Sequence, residues 1–523
     1  MSKPSRLTAL SAWVLMFCGA VIMVPAGAAS RAPVSMVVQA NAPGPKIDRH
    51  IFGQFAEHLG HGIYGGIWVG PGSSIPNTEG YRNDVLAALK ALHVPVIRWP
   101  GGCFADDYHW RDGIGPRAQR PVRINTHWGG VLEPNSFGTH EFLDFAGMIG
   151  ADPYVTGNVG SGSPQEMADW VEYITSDSQS TLAQLRRANG RDKPWHLPFF
   201  GIGNEAWGCG GNMRPEYYAD LFRRYATFVR DHAPAGIELV ASGANSDDYH
   251  WTDVVMARAG DLVDALSLHY YTIPTGNWKH KGAAYGFGED QWASTLKAAS
   301  RIDELITRHS AIMDKYDPQK RVALFVDEWG TWYDPEPGTN PGFLYQQNSL
   351  RDALVAAISL NIFERHADRV RMANIAQMIN VLQAMILTRQ DRMVLTPTYY
   401  VFRMYVPFQD ATFLPVKIDT PSYRYGAVVL PAVDATAARD TSGTIHLALV
   451  NVDPHHGATV SVRIAGVSAH SAAGQVLTAD AMDAHNTFAH PHAIAPVAFN
   501  GVRRHGELVF RLPPKSVAVV AVH

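Results

Sequence analysis

The sequence of 523 residues has little cysteine, little net charge and no low-complexity segment. Its three cysteines are too few for a disulfide-built scaffold. A net charge of -4 and scattered histidines provide no basic surface for nucleic acid or for an anionic membrane. Beyond the N-terminal segment no apolar run is long enough to span a bilayer. We therefore expect a globular protein without a nucleic-acid or membrane partner.

Familiar catalytic motifs are missing as well. No G-x-S-x-G, P-loop or G-x-G-x-x-G stands between a strand and a helix. His58 and His61 are the nearest approach to a metal-ligand pair, but they are not joined by a cluster of carboxylates. We expect no metal site.

The N-terminal segment has the organisation of a signal peptide. Basic residues precede an apolar run over residues 7–24, and small residues follow at 26–28. We predict that residues 1–28 are removed and that the mature protein is exported to the periplasm or the medium, free of the membrane. The alternatives are a membrane anchor, for which the run is short, and a lipoprotein anchor at Cys18, where Phe17 is bulky.

Eight short apolar runs alternate with helical stretches between residues 50 and 390. The chain is too long for one ordinary core, and this alternation predicts a (β/α)8 TIM barrel over residues 47–400. A capping box with proline at the first helical position, over residues 163–166, supports one of the helices. The predicted strands are 51–57, 94–100, 152–158, 198–204, 237–243, 264–271, 322–328 and 370–377.

The pattern changes after about residue 400. Short alternating segments without helical period follow, separated by turn-rich stretches, and they predict an antiparallel β-sandwich over residues 401–523. An early strand, VSMVVQA at 34–40, precedes the barrel. We predict that residues 34–46 belong to the same sandwich, which makes that domain discontinuous.

The active site of such a barrel is built at the carboxyl ends of its strands. Most of the residues found there are carboxylates, amides and aromatics. The residues at the strand ends are Glu57, Arg98, Asn158, Asn204, Glu205, His269, Tyr270, Tyr271, Asp327, Glu328, Gln377 and Asn380.

Two glutamates would face each other across the barrel mouth. Glu205 ends strand 4 and Glu328 ends strand 7, and each has a tryptophan beside it, Trp207 and Trp329. Paired carboxylates are required for glycosidic cleavage, since one donates a proton and the other attacks the anomeric carbon or activates water. We expect the tryptophans to shield the site and to offer flat faces to sugar rings. The alternative for either glutamate alone is a salt-bridged rim residue.

The sequence resembles glycoside hydrolase family 51, the α-L-arabinofuranosidases. The stretches that carry the resemblance occur in the family's order along nearly the whole chain. They are HIFGQFAEHLGHGIYGG, VIRWPGG, DGIGP, FGTHEFLDFA, GIGNEAWG, LSLHYY, FVDEWGTWY and HADRVRMANIAQMINVL.

The resemblance implies catalytic roles without a metal or organic cofactor. Glu205 matches the acid/base and Glu328 the nucleophile of a retaining mechanism through a covalent arabinosyl-enzyme. The positions that match residues holding the terminal arabinofuranose, or orienting the two carboxylates, are Glu57, Arg98, Asn204, His269, Tyr271 and Gln377. Cys103 stands where many family members have an asparagine that contacts the sugar. The substrate expected is a poly- or oligosaccharide bearing arabinofuranosyl units, and family members commonly form homo-oligomers.

Cys103 and Cys209 both fall in loops at the carboxyl face of the predicted barrel. If Cys18 is removed with the leader, they are the cysteines of the mature chain. They either form a disulfide beside the sugar pocket or remain two small free side chains.

Two other functions fit parts of the pattern. An endoglucanase or β-xylosidase of the same clan would keep both glutamates, so these residues do not separate the activities. A non-catalytic sugar-binding protein would not need them. Trp128 and Trp278 are our candidates for platforms under the leaving sugar.

Overall fold

Eight parallel strands close into a barrel in the computed structural model, which describes residues 33–232 and 236–523. They pair in chain order, and the eighth pairs with the first. The barrel strands, numbered 1 to 8 along the chain, are Gly53–Phe55, Val96–Trp99, Asp152–Gly157, Phe199–Ile202, Glu238–Asn245, Ala265–Thr272, Ala323–Thr331 and Val370–Ile375. The predicted barrel is confirmed. The predicted leader, residues 1–28, lies outside the described residues.

Helices surround the barrel. Ser163 caps one of them by accepting the backbone N–H of Glu166 at 3.2 Å, as the capping box predicts. Helix Leu350–Arg365 is buried on nearly all sides because it lies between the barrel and the second sheet. The helices of the described chain are Asn83–Ala91, Thr139–Ile149, Pro164–Thr175, Thr181–Ala188, Pro215–Phe228, Tyr249–Ala259, Glu289–Ser300, Ile302–Tyr316, Leu350–Arg365 and Pro397–Tyr405.

The second sheet combines the C-terminal region with the early strand. Val34–Val38 pairs antiparallel with Val416–Asp419 and parallel with Ala458–Ile464, so the sheet is not wholly antiparallel. Buried side chains from both ends of the strand order share one apolar core, so the sheet folds over itself as a sandwich. Its strands are Val34–Val38, Thr412–Phe413, Val416–Asp419, Val433–Arg439, Ile445–Asn451, Ala458–Ile464, Ser471–Leu477, Val497–Arg504, Glu507–Leu512 and Ser516–Val522. The domain boundaries at residues 47 and 400 stay a prediction.

Short two-stranded hairpins lie outside the barrel and the second sheet. The segment YGAVVL at 425–430, predicted as a sandwich strand, belongs instead to a separate hairpin. The two-stranded hairpins of the described chain are Asn77–Thr78 with Tyr81–Arg82, Arg123–Ile124 with Leu132–Glu133, Ile386–Arg389 with Arg392–Leu395, and Ser422–Tyr425 with Val428–Pro431. Within the described residues, no helix is both long and apolar enough to cross a membrane.

The barrel interior is apolar at its amino end. Residues near the starts of strands 2 to 8, such as Val96, Tyr154 and Phe325, form a small buried cluster there. Polar side chains inside the barrel therefore collect toward the carboxyl ends of the strands, which places the candidate site.

Candidate active site

The structure brings all nine predicted site residues together at the carboxyl face of the barrel. Six of them line one cavity: Glu57, Cys103, Glu205, Tyr271, Glu328 and Gln377. The other three, Arg98, Asn204 and His269, are buried behind the cavity wall and hydrogen-bond to residues that form it or to one another.

Strand 7 delivers two consecutive carboxylates to the barrel interior. Neighbouring residues of a strand normally point to opposite faces, but the register against strand 8 shifts between Val326 and Trp329. Asp327 therefore lies against Arg98 at 3.6 Å, while Glu328 Oε1 accepts a hydrogen bond from the same guanidinium at 2.8 Å.

Both oxygens of Glu328 are held by donors. Arg98 binds Oε1, and the hydroxyl of Tyr271 donates to Oε2 at 2.7 Å. These two donors hold the Glu328 carboxyl group in one orientation.

Glu205 follows the end of strand 4 in a different environment. Its backbone has φ +39°, in the left-handed region that non-glycine residues rarely adopt, directly after Gly203 and Asn204. Burial and the nearby charge of Glu328 raise the pKa of the Glu205 carboxyl against the opposing hydrogen bond from His269. This carboxyl group is the better candidate to hold a proton.

His269 connects the two glutamates. Its Nδ1 lies 2.9 Å from Glu205 Oε1 and 3.6 Å from Glu328 Oε2, and its Nε2 lies 3.1 Å from Asp327. Burial disfavours a charged imidazole, but the three surrounding carboxylates outweigh it and raise the pKa of His269 to about 10. The ring is therefore a buried cation between the two acids.

Glu57 forms a third carboxyl group in the cavity. Its Oε1 accepts from the backbone N–H of Phe104 at 3.1 Å and from the indole N–H of Trp128 at 2.8 Å. Its Oε2 accepts from Gln377 Nε2 at 3.0 Å, while Oε1 of Gln377 has no hydrogen-bond partner in the described part of the chain. Burial and the charge of Glu328 raise the pKa of Glu57 to about 7.

Cys103 and Cys209 form a disulfide beside the cavity. This is the first of the two alternatives left open by the sequence. The bond joins the loop after strand 2 to the loop after strand 4, and Cys209 Sγ lies 3.5 Å from Glu205 Oε2.

The metal-ligand geometry of the site does not favour an ion. Among the described residues, Glu205, His269 and Glu328 bring potential ligand atoms within 4.8 Å of one another. The carboxylate oxygens of Glu328 are already occupied by Arg98 and Tyr271, and a protonated imidazole is not a ligand. His58 instead packs in the core against Glu133 and Trp99, and His61 is exposed.

Two family models match the chain. An α-L-arabinofuranosidase 1 domain matches residues 88–287 and an α-L-arabinofuranosidase C-terminal domain matches residues 327–516. A protein of Bacteroides ovatus named intracellular exo-α-L-arabinofuranosidase is 52% identical over 93% of this chain and 95% of its own length. The chain belongs to glycoside hydrolase family 51.

Solved structures agree with this assignment. The family 51 arabinofuranosidase of Xanthomonas axonopodis pv. citri superposes with a TM-score of 0.93 and 57% identity, covering 94% of this chain and all of that one. An arabinose complex of the Thermotoga maritima α-L-arabinofuranosidase has a TM-score of 0.83 and 30% identity, covering 94% of this chain and 99% of that one. This family 51 protein is a glycoside hydrolase, an α-L-arabinofuranosidase acting on arabinofuranosyl-bearing carbohydrate.

The comparison corrects the predicted export of the family 51 enzyme. The Bacteroides ovatus relative, which aligns with nearly the whole chain, is named an intracellular enzyme. The prediction of a periplasmic or secreted protein, made from residues 1–28, is therefore wrong.

The aromatic residues of the family 51 site are partly different from those predicted. Trp329 is 2% exposed and packs against Phe363 and Phe402, so it offers no face to a sugar. Trp332, which the sequence did not single out, lines the cavity in its place. The sequence stretch FVDEWGTWY contains both tryptophans. Strand 7 continues past Trp329 to Thr331, so Trp332 is the tryptophan that follows the end of the strand.

Proposed function

We propose that this family 51 enzyme removes terminal, non-reducing α-L-arabinofuranosyl units with retention, Glu205 serving as acid/base and Glu328 as nucleophile. The observation that carries the proposal is that the carboxyl groups of Glu205 and Glu328 both lie beside the same nitrogen, Nδ1 of His269. Their nearest oxygens lie within 4.8 Å of each other. Retaining enzymes keep the two groups roughly 5 Å apart, whereas inverting enzymes leave room for a water between them.

The unequal environments support this division of roles. Glu328, anchored by Arg98 and Tyr271, attacks the anomeric carbon as an anion and forms the arabinosyl-enzyme. Glu205, whose pKa is raised, donates its proton to the leaving oxygen in this first step. In the second step Glu205 takes a proton from the water that releases the sugar.

The remaining polar residues form a binding site for a single terminal sugar. Glu57 and Gln377 offer oxygen and nitrogen atoms to ring hydroxyl groups, and the disulfide at Cys103 forms part of the wall. The cavity is closed in by Trp128 and by other apolar residues, Leu59, Trp332, Leu344 and Leu382. A small cavity favours removal of a terminal unit over cleavage within a chain.

The substrate proposed is an arabinose-bearing hemicellulose, pectin or oligosaccharide derived from them. The nearly balanced net charge supports a neutral carbohydrate partner and no nucleic acid or membrane.

Azide rescue tests the assignment of the two glutamates. Glu328→Ala is expected to abolish turnover of every substrate. Glu205→Ala is expected to impair substrates with poor leaving groups most, and azide should restore turnover of an activated aryl arabinofuranoside. Azide then enters where water would, so the glycosyl azide has retained configuration. An inverted product, or rescue of Glu328→Ala with retention, would contradict the assignment.

An endoglucanase or β-xylosidase activity is the second candidate because both glutamates would serve it equally well. Initial rates on aryl α-L-arabinofuranoside, aryl β-xyloside and aryl β-glucoside separate the activities. We expect the arabinofuranoside to be hydrolysed with the highest kcat/KM.

A further inference from the structure

The backbone on both sides of Glu205 is held by buried side chains outside the predicted site. Glu205 itself has a left-handed backbone, which persists in a protein only where the surroundings impose it. The N–H of the preceding residue, Asn204, is bound by Asp106, and the N–H of the following residue, Ala206, is bound by Ser242.

Asp106 joins three parts of the catalytic face. Its side chain is buried, with the residue 3% exposed. Oδ1 accepts the backbone N–H groups of Val159 and Gly160, just after strand 3, at 2.8 and 2.9 Å. Oδ2 accepts the N–H of Asn204, just after strand 4, at 3.1 Å. Asp106 also ends the short 3-10 helix that begins at Cys103.

The chain beyond Glu205 folds back onto this carboxylate. A Cβ atom on Gly210 would lie 1.8 Å from the carbonyl oxygen of Asn204 and 2.8 Å from Asp106 Oδ2, so only glycine fits there. Ser242 Oγ accepts the N–H of Ala206 at 3.1 Å from the opposite side. The peptide units flanking Glu205 are therefore fixed by two independent acceptors.

We propose that Asp106 and Ser242 are positioning residues that hold the acid/base carboxyl group in line with the leaving oxygen. This inference rests on the proposed role of Glu205. Neither residue lines the sugar cavity, so neither acts on the substrate directly. They set the direction of the Glu205 side chain by fixing the backbone from which it projects.

An isosteric substitution isolates this role. In Asp106→Asn one oxygen becomes an NH₂ group, which cannot accept a hydrogen bond. The remaining oxygen satisfies two donors if it faces Val159 and Gly160. The NH₂ group then faces the N–H of Asn204, donor against donor, and releases the residue beside Glu205.

The test measures how strongly hydrolysis depends on the leaving group. We would compare kcat/KM of wild type and Asp106→Asn on dinitrophenyl, nitrophenyl and unsubstituted phenyl α-L-arabinofuranosides. A phenyl leaving group needs the proton and a dinitrophenyl group does not. The expected loss is about 10-fold larger on the phenyl substrate, which is a part of the roughly 10²- to 10⁴-fold that general acid catalysis contributes.

The matched control is Asp453→Asn in the sandwich. Asp453 is also buried and accepts backbone N–H groups, those of His455 and His456 at 2.9 and 3.0 Å. We expect Asp453→Asn to leave the ratio between substrates unchanged even if it lowers the melting temperature.

Equal loss on all three substrates, or no loss, would overturn the proposal and leave Asp106 with a general structural role.

Should Asp106→Asn fail to fold, Ser242→Ala provides the test. This substitution frees the N–H of Ala206 and should make kcat/KM depend more steeply on the leaving group. Glu205→Ala is measured in parallel. If that variant shows no leaving-group dependence, the role of Glu205 is wrong, and this failure is distinct from failure at Asp106.

Discussion

Six ionisable side chains meet at the carboxyl end of the barrel, and they are Glu57, Glu205, Asp327 and Glu328 with Arg98 and His269. Fully ionised, they would leave two uncompensated negative charges out of water, which is unfavourable. Burial raises the pKa of both Glu57 and Glu205. Protons on these two groups leave two anions and two cations, so the charges of these six side chains balance when Glu205 is ready to act as an acid.

Glu57→Gln tests this charge balance through stability. The pKa of Glu57 is raised from 4.5 to about 7, so the folded protein binds this proton more tightly than the unfolded chain does. Wild type should therefore lose stability from this group as the pH rises from 4.5 through 7, by about 3 kcal/mol in all. Glutamine carries no charge, and its NH₂ group can donate to the free Oε1 of Gln377 after that amide turns.

Denaturant unfolding at pH 5 and pH 8 measures the effect. The stability of Glu57→Gln relative to wild type should increase between these values, while its activity falls. The exposed Glu304→Gln is the control and should show no such trend. A difference that does not change with pH would refute a protonated Glu57.

The loops after strands 2 and 4 act as one element because a disulfide joins them. The bond closes a stretch of 106 residues that contains strand 3 and carries Glu205 near one end. Constraining a loop of this length in the unfolded chain is worth roughly 5 kcal/mol in the chain-entropy model.

Reduction should accordingly destabilise the enzyme. We expect the melting temperature of wild type to fall by several degrees in reductant, and the Cys103→Ser/Cys209→Ser variant to have the lower value with or without reductant. Thiol titration of the denatured, unreduced protein should give no thiol from either residue. Two free thiols from this pair would contradict the disulfide.

A row of aromatic rings leads outward from the site. Trp332 packs edge-on against Tyr271 at 4.9 Å and against Trp278 at 5.3 Å, and Trp278 is 52% exposed. Tyr271 also binds Glu328, so the row begins at the proposed nucleophile.

Trp278→Ala should weaken binding beyond the terminal sugar. The expected result is a KM on arabino-oligosaccharides that is roughly 3- to 10-fold higher, the size of one aromatic contact. The kcat/KM on a nitrophenyl arabinofuranoside should stay close to wild type. Tyr316→Ala, which removes an exposed ring from an outer helix, is the control. Equal effects on both substrates would argue against a platform at Trp278.

The sequence predicts elements best where their periodicity is strong. All eight barrel strands lie where they are predicted, since each is a short apolar run between turn signals. The strands Val433–Arg439 and Ser471–Leu477 are not predicted, because alanine, glycine and polar residues give them no clear alternation. Val433–Arg439 pairs with the next strand of the chain, Ile445–Asn451, whereas Ser471–Leu477 also pairs with the later strand Ser516–Val522.

Site residues, too, are predicted only where a sequence pattern marks them. Carboxylates at strand ends, such as Glu205 and Glu328, are visible in the sequence because the fold fixes where strand ends meet. Asp106 stands beside Asp107 in a loop and looks like a surface residue. Its contacts are backbone N–H groups from two other loops, and no residue pattern encodes them.

At the scale of the whole molecule, the early strand Val34–Val38 pairs with two strands of the C-terminal region and contributes to the sandwich core. Met36 is 1% exposed and lies between Ile418 and Val462 in the strand register. Met36→Ala should lower the free energy of unfolding by about 2–5 kcal/mol, through lost burial and a cavity.

Denaturant unfolding measures this loss, with the exposed neighbour Ser35→Ala as the control. We expect kcat to be unchanged at temperatures where Met36→Ala remains folded, since the site residues belong to the barrel. Full stability of Met36→Ala would show that the early strand contributes little to the sandwich core.

The position of this strand in the chain also determines how long it remains without its partner during synthesis. Val34–Val38 leaves the ribosome early, yet its partner Ala458–Ile464 is made more than 400 residues later. At roughly 5–20 residues per second the early strand waits about 20 to 90 s for that partner. Its apolar face must stay unpaired while the whole barrel is synthesised, so this strand is exposed to misassociation during that time.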